Sequence, residues 1–289
     1  MIVSAQIVGD EERSDGPPDA LLPWWSFGKT VLAATAFKLA EQGKLHLDST
    51  LSGKPFTLRQ LLAHRAGVPN YGPMADYTAA VARGENAWPV EEMLARAKAD
   101  TLLFAPGEGW SYSNIGYLYV RHAIEHATDS DLRSALHATI FAPLGLHAFM
   151  TRRREDVQRV LWRNIHGYDP NWVYHGLIVG TAPDAARFLH RLFTSTFLSS
   201  ESQAAMFDSV PLPYPLPNRP FVQPMPGTGL MIDSKSRHGM MAGHTGGGPG
   251  SVSAVYRFPD LEPPRTVAAF ADNDDEAALE RHVLELAGT

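Results

Sequence analysis

The chain contains no cysteine among its 289 residues. It can therefore form no disulfide bond, no cysteine-ligated zinc site and no thiol nucleophile, so any nucleophile must be another side chain. It also has no apolar run near the roughly 18 residues that a membrane-spanning helix needs. These absences exclude thiol chemistry and predict no membrane span, but they do not set the compartment.

Basic tracts are also scarce, because 25 Lys and Arg residues face 31 Asp and Glu residues, for a net charge of −6. Clusters of basic and aromatic side chains that bind nucleic acid are missing, so we expect no nucleic-acid partner. The N-terminus has no basic segment followed by an apolar core, and we expect a cytoplasmic protein without a membrane partner. The length suits one large domain, and no internal repeat is visible.

Ser26 and Lys29 form the first candidate pair, because a lysine three residues after a serine lies on the same helix face. Residues 30–41 are rich in Ala and Leu and predict a helix that ends near Gly43. A serine hydroxyl needs a nearby base, and a desolvated lysine amine can serve as one. Taken alone the pattern is weak, since a helix-capping Ser26 and a solvated Lys29 also explain it.

Tyr112 and Asn114 form a second candidate group, in a loop that follows Pro106 and Gly107 and leads into a helix predicted at 115–126. A tyrosine near a lysine ammonium is expected to have a lowered phenol pKa and to pass a proton to a leaving group. Asn114 offers its amide to a substrate carbonyl. The alternative is a packed tyrosine at an Asn- and Ser-rich helix start.

A third group is His244-Thr245-Gly246-Gly247, which precedes a strand predicted at 251–256. Glycine-rich backbone at a strand edge lets a substrate approach closely and presents N–H groups for an oxyanion hole. A plain glycine-rich hairpin would give the same pattern.

Together, the order S-x-x-K, Y-x-N and H-T-G resembles the penicillin-recognising serine hydrolases, and within them the class C β-lactamase-related group. That group also contains D-alanyl-D-alanine carboxypeptidases, D-amino-acid amidases and peptidases, and carboxylesterases. The resemblance extends from about Pro23 to Pro259. It includes the segments 43–48, 56–69, 141–146 and 180–188.

The resemblance implies an α+β fold of the β-lactamase/transpeptidase type. Its antiparallel sheet would be built from strands at both ends of the chain, flanked by helices, with a mostly helical lobe inserted. We expect one domain over residues 1–289, with an α/β lobe at 1–46 plus 176–289 and a helical lobe at 47–175.

The resemblance also assigns roles. Ser26 would be the acylated nucleophile, Lys29 its base or charge partner and Tyr112 the general base and acid. Which of Lys29 and Tyr112 takes the serine proton stays open. The substrate-binding groups would be Asn114, His244, Thr245 and Gly246, and the oxyanion hole would be the backbone N–H groups of Ser26 and Gly247.

Two departures from the family pattern bear on these expectations. His244 stands where antibiotic-cleaving and peptidoglycan-cleaving members usually carry Lys, and an unperturbed histidine is largely neutral near pH 7. Weaker carboxylate recognition favours neutral esters or amides over β-lactams and D-Ala-D-Ala peptides. Before Ser26, only residues 2–8 predict a strand, and the polar, turn-rich 9–19 follow. The sheet has therefore either lost an edge strand or paired differently.

The predicted function is a serine hydrolase that forms an acyl-enzyme on Ser26, as an esterase or amidase on a small substrate. One alternative is a β-lactamase or D-alanyl-D-alanine carboxypeptidase, and another is a penicillin-binding sensor or scaffold without turnover. Acyl transfer to an alcohol would use the same residues. The H-x-x-E-H pattern at 122–126 resembles a zinc site, but it falls on an ordinary helix without a third ligand, so we expect neither metal nor cofactor.

Two aromatic or proline-rich features have open interpretations. Trp110 and Trp172 are either core residues or the lining of an acyl pocket. The segment 211–220 contains too many prolines for a helix or central strand and predicts an extended loop. It either borders the active-site mouth or connects elements on the surface.

Overall fold

The structure is a computed structural model that describes residues 1–212 and 214–289. Pro213, part of the predicted proline-rich loop, lies outside the described residues. Among the described residues, no helix combines the length and the apolar character needed to cross a bilayer.

The larger sheet is antiparallel, and its strands lie in the order β2-β1-β10-β9-β8-β7-β6. A smaller sheet has the order β3-β5-β4. The strands are β1 Ile2–Val8, β2 Glu11–Asp15, β3 Leu22–Pro23, β4 Phe149–Met150, β5 Ile178–Gly180, β6 Pro224–Pro226, β7 Met231–Ser236, β8 Gly239–Gly248, β9 Ser251–Phe258 and β10 Arg265–Ala271.

Along the chain, most of the helices lie between the N-terminal strands β1–β3 and the C-terminal strands β6–β10. The helices are α1 Gly28–Glu41, α2 Leu58–Leu62, α3 Ala75–Ala82, α4 Val90–Arg96, α5 Asn114–Thr128, α6 Leu132–Leu136, α7 Arg154–Val157, α8 Ala182–Thr194, α9 Ser200–Met206 and α10 Glu276–Ala287. Shorter helical turns occur at Trp25–Phe27, His137–Phe141, Arg163–Ile165 and Pro170–Trp172.

The large sheet is covered by helices on both faces, which explains why β9 and β10 are buried along nearly their whole length. Because side chains alternate along a strand, Ala254 and Tyr256 pack in the cluster with α10, whereas Val255 packs in the main core with α8 and α1. The predicted α+β fold of the β-lactamase/transpeptidase type, with a sheet made from both chain ends, is confirmed.

The N-terminal region differs from the expectation. Residues Glu11–Asp15, predicted as turn, form edge strand β2, which pairs with β1 from Val8 opposite Glu11 to Ser4 opposite Asp15. The sheet has therefore kept an edge strand before Ser26. All five residues of β2 are polar and exposed, so the sequence shows no alternation between apolar and polar positions. Charged residues on such an edge also discourage pairing with other chains.

Candidate active site

The turn Trp25–Phe27 presents Ser26 directly before helix α1. Trp25 has φ 44°, in the left-handed region that a bulky side chain rarely adopts. Its indole Nε1 donates a hydrogen bond to Ser251 Oγ at 2.9 Å, and its ring packs edge-on against Tyr168. These contacts hold the strained backbone in the conformation that exposes Ser26 at the N-terminus of α1.

The three predicted catalytic side chains lie together. Ser26 Oγ is 3.1 Å from Lys29 Nζ, one helical turn further on, and accepts a hydrogen bond from Tyr112 OH at 2.8 Å. Tyr112 comes from the loop before α5, where Ser113 caps the helix by accepting a hydrogen bond from the amide of Gly116. A serine between an amine and a phenol is the arrangement that nucleophilic catalysis requires.

Lys29 is completely buried and lies in surroundings without a carboxylate partner among the described residues. Besides Ser26, its amine contacts Asn114 Oδ1 at 2.8 Å and His175 Nε2 at 3.2 Å. Burial holds the pKa of Lys29 well below its usual range, because no compensating charge stabilises the ammonium. The neutral amine is therefore available as a base.

The pKa of Tyr112 is shifted in the direction opposite to the prediction. Burial raises the pKa of its phenol, and the hydrogen bond to Ser26 offsets this only in part. The expectation of a lowered pKa assumed a charged lysine beside the ring, and desolvation disfavours that charge as well. The phenol of Tyr112 therefore keeps its proton and can act as a proton donor.

His244 is buried on strand β8, with Nδ1 2.6 Å from the carbonyl oxygen of Thr245. Burial lowers the pKa of His244 to about 3. The ring is neutral at physiological pH, in line with the prediction from the sequence. The hydroxyl of Thr245 donates to the Glu280 carboxylate and shares a hydrogen bond with Tyr256 OH at 2.7 Å.

Strand β8 runs so close to Ser26 that a side chain at Gly246 would not fit. A Cβ atom there would lie 2.3 Å from the backbone nitrogen of Ser26. At the next position, a Cβ on Gly247 would lie 2.7 Å from a carboxylate oxygen of Glu276. Glycine is thus required where β8 passes the Ser26 amide, which is the place predicted for the oxyanion hole.

A cavity of about 340 Å³ opens in front of Ser26. The predicted site residues Tyr112, Asn114, His244, Thr245 and Gly247 line it together with Ser26. Its other walls are largely apolar, with Trp110, Leu212, Leu216, Phe221, Pro224, Met225, Pro226, Met231 and Ile232, and with the charged Arg219 and Glu276.

The residues that line the cavity distinguish between the alternatives that the sequence left open for the two tryptophans and for the proline-rich segment. Trp110 lines the cavity, whereas Trp172 is 1% exposed and belongs to the core. The described part of the proline-rich segment contributes Leu212, Leu216 and Arg219, so it borders the cavity.

Arg219 is held by two carboxylates of helix α10. Its guanidinium donates to Glu276 Oε2 at 2.6 Å and to both carboxylate oxygens of Glu280, which is 1% exposed. Hydrogen bonds and charge from Glu280 raise the pKa of Arg219 despite burial, so it remains a cation. This ion-pair cluster was not predicted, because its members are far apart in sequence and match no motif.

His175 is the other functional candidate that the sequence did not reveal. It lies directly before the glycine that precedes β5, and it contacts the amine of Lys29. It also lines a second, smaller cavity of about 60 Å³ that meets Ser26 beside Tyr71, Tyr77 and Tyr168. No spacing rule connects residue 175 with residue 29, so only the fold shows the contact.

Two other histidine features have structural explanations. His64 Nδ1 accepts a hydrogen bond from the backbone amide of Ser113, and its ring packs 4.5 Å from that of Tyr112. In the H-x-x-E-H segment, Glu125 is paired with Arg121 and accepts a hydrogen bond from the amide of Leu132. Within the described residues, no three potential metal ligands cluster.

Comparison with known proteins identifies the class. The Beta-lactamase family matches residues 7–286, and the chain belongs to this family, as the three motifs predicted. Penicillin-binding protein 4* of Bacillus subtilis is 24% identical over 91% of the chain and 63% of its own length. The esterase EstB of Burkholderia gladioli is 27% identical over 48% of the chain and 41% of its own length.

A solved structure shares the whole fold. The D-stereospecific amidohydrolase from Streptomyces sp. superimposes with a TM-score of 0.82 at 24% identity, covering 100% of this chain and 94% of that one. The chain spans less than two thirds of the length of the two curated relatives above.

Proposed function

We propose that the protein is a serine hydrolase that cleaves small ester or amide substrates through an acyl-enzyme on Ser26. The observation that carries this proposal is the contact of Ser26 Oγ with both Tyr112 OH and the buried, carboxylate-free amine of Lys29. The family relationship and the names of the relatives, an esterase and a D-stereospecific amidohydrolase, agree with this class of reaction.

In the acylation step, neutral Lys29 takes the hydroxyl proton of Ser26 as Oγ attacks the substrate carbonyl carbon. The carbonyl π electrons move to oxygen, where the backbone N–H groups of Ser26 and Gly247 stabilise the negative charge. When the tetrahedral intermediate collapses, Tyr112 protonates the departing alcohol or amine. The proton on Lys29 then returns to the Tyr112 oxygen, so the net transfer is from Ser26 to the leaving group.

Deacylation repeats the sequence with water. The Lys29–Tyr112 pair removes a proton from water, the resulting hydroxide attacks the acyl carbon, and Ser26 Oγ leaves and regains its proton. The opposite pKa shifts of the two groups support the assignment of base and acid. The pKa of Lys29 is lowered, which favours the free base, and that of Tyr112 is raised, which favours the phenol.

The charges around the cavity favour a neutral substrate. His244 is neutral, and Arg219 is the only permanent cation among the described cavity residues, where it is already bound by Glu276 and Glu280. A substrate carboxylate would have to compete with both of these glutamates. The apolar wall instead suits the hydrocarbon part of a small ester or amide.

The first test compares wild type with Ser26→Ala on p-nitrophenyl esters of increasing chain length, on D- and L-amino-acid p-nitroanilides, and on nitrocefin. We expect release of nitrophenol or nitroaniline by the wild type, loss of that release in Ser26→Ala, and little nitrocefin cleavage. Intact mass spectrometry should show an acyl adduct on the wild type alone.

Other outcomes of this experiment would indicate a different nucleophile or a different function. Turnover that survives in Ser26→Ala contradicts the nucleophile assignment. Dominant nitrocefin cleavage places the protein with the β-lactam hydrolases. An adduct that forms without turnover makes it a penicillin-binding sensor.

A further inference from the structure

His175 is a buried histidine that the proposed reaction does not yet use. Its side chain is 2% exposed, and Nε2 lies 3.2 Å from Lys29 Nζ. The other ring nitrogen, Nδ1, is buried without a hydrogen-bond partner among the described residues. A buried polar atom without a partner is uncommon and calls for a functional explanation.

The hydrogen-bonding capacity of Lys29 supplies a functional explanation for this unpartnered atom. A neutral amine has two N–H donors and one lone pair, and Lys29 Nζ has three polar neighbours. Asn114 Oδ1 at 2.8 Å can only accept, and Ser26 Oγ at 3.1 Å must donate if its proton is to be removed. The remaining N–H therefore needs a second acceptor, and His175 Nε2 lies within reach.

The tautomer that this arrangement requires agrees with the surroundings of the ring. Nε2 can accept only when the ring is neutral and the hydrogen is on Nδ1. Burial holds the pKa of His175 well below its usual range, so the ring is neutral. Directing the Nε2 lone pair at Lys29 therefore leaves Nδ1–H without a hydrogen-bond partner, which is energetically unfavourable.

Among the described residues, no carboxylate contacts this amine that could accept its N–H in place of His175. The titratable groups that surround Lys29 come from four parts of the fold and include no carboxylate: Tyr112 from the loop before α5, Tyr117 from α5, His64 after α2 and His244 from β8. The orientation of the neutral amine therefore depends on its three polar neighbours.

We propose that His175 is a positioning residue for Lys29: its Nε2 accepts one N–H of the amine and thereby turns the lone pair toward Ser26. Without this acceptor, the free N–H would compete for Ser26 Oγ as a donor, in the wrong direction for proton removal. The same hydrogen bond persists when Lys29 is protonated after each transfer, and Ser26 Oγ then accepts the third N–H of the ammonium. This role rests on the proposed function, in which Lys29 is the base.

The test compares His175→Gln with His175→Asn. The side-chain oxygen of Gln can reach the place of Nε2, whereas that of Asn is one carbon short, and both variants are neutral and polar. We measure kcat and KM between pH 5 and 10 on the ester or amide that gives Ser26-dependent turnover. His238→Asn is the matched control, because His238 is a partly buried histidine whose Nε2 lies 2.8 Å from a backbone carbonyl far from the site.

We expect His175→Gln to stay within about fivefold of wild type, and His175→Asn to lose about 10- to 100-fold in kcat with little change in KM. The acid limb of the His175→Asn profile should also move to lower pH. Protonated Lys29 loses a charge-assisted hydrogen bond in this variant, which destabilises the ammonium more than the free amine. The control should keep the wild-type profile.

A purely structural role would lower activity in both variants in step with thermal stability and leave the acid limb in place; that result overturns the proposal. If His175→Asn does not fold, His175→Met replaces it, since Met fills the site without an acceptor of comparable strength. Turnover that persists in Ser26→Ala would instead overturn the proposed function. Ser26-dependent turnover with an unmoved acid limb overturns the role of His175 alone.

Discussion

Two buried polar clusters lie on either side of the Thr245 segment of β8, and they differ in charge. The carboxylate-free cluster contains Ser26, Lys29, Tyr112, Asn114 and His175. The ion-pair cluster contains Arg219, Glu276 and Glu280, and the hydroxyl of Thr245 joins it through Glu280. Each cluster contains one basic side chain, but only the second provides carboxylates for it.

Whether a buried basic group is a fixed cation or a free base depends on the charge of the groups that it contacts. Carboxylates in contact raise the pKa of Arg219 and fix it as a cation that ties the proline-rich segment to α10. Lys29 has neutral hydrogen-bond partners, so burial lowers its pKa and makes it a base. The ion-pair cluster therefore stabilises the fold with its basic group charged, whereas the carboxylate-free cluster gives up stability for reactivity.

The largest expected effect comes from Lys29→Met. Activity should fall at least about 10³-fold, because Ser26 loses its base. Stability should rise at pH 7, because the unfolded chain binds a proton at residue 29 that the folded chain gives up, and Met removes this penalty.

The direction of this change in stability can be checked by thermal unfolding at several pH values. Since the unfolded state binds more protons, the wild type should gain stability as pH rises toward the ordinary lysine pKa of about 10.4, and the advantage of Lys29→Met should shrink. Lys38→Met, on the same helix but paired with Glu41, is the control and should keep its activity. A less stable Lys29→Met variant would contradict the comparison.

The next effect concerns the ion-pair cluster. Arg219→Met leaves Glu280 buried without its cation, and we expect a loss of about 3–5 kcal/mol in the free energy of unfolding. Urea denaturation measures it. Arg96→Met is the matched control, because Arg96 also contacts two carboxylates, Glu92 and Asp76, but in an exposed position where solvent screening should make the loss much smaller. Equal losses in the two variants would remove the distinction between the clusters.

The smallest effect is a change in substrate charge preference. His244→Lys places an ammonium at a cavity position that is neutral in the wild type. We expect the kcat/KM ratio of p-nitrophenyl hemisuccinate to p-nitrophenyl butyrate to rise about tenfold, because only the first ester carries a carboxylate. His244→Gln keeps the site neutral and should leave the ratio unchanged. A ratio that moves equally in both variants would show that the side chain at 244 acts by shape.

The sequence was informative where chemistry follows local spacing or a recognisable motif. The interval between Ser26 and Lys29 already placed both on one helix face, and the family motifs pointed to Tyr112 and Asn114. The contacts of His175 and Arg219 could not be predicted in this way, because each depends on how distant segments pack. Strand β2 was missed for another reason: its five residues are all polar, and only pairing with β1 makes them a strand.

The direction of the Tyr112 pKa was wrong because the sequence does not reveal burial. A lysine beside a tyrosine lowers the phenol pKa only while the lysine is charged. Both groups are buried here, so desolvation outweighs their mutual attraction.

The approach of β8 to the Ser26 amide also has a consequence for the order in which the molecule becomes active. The proposed nucleophile, Ser26, lies within the first tenth of the sequence, whereas Gly246 and the strand that pairs with β1 lie in its last fifth. Contacts over such separations form late and slow the folding of the protein, because a long loop must close first. A nascent or truncated chain that lacks β8 thus carries Ser26 and Lys29 without the strand that we propose completes the oxyanion hole. Hydrolytic competence is acquired only when the two ends of the polypeptide meet.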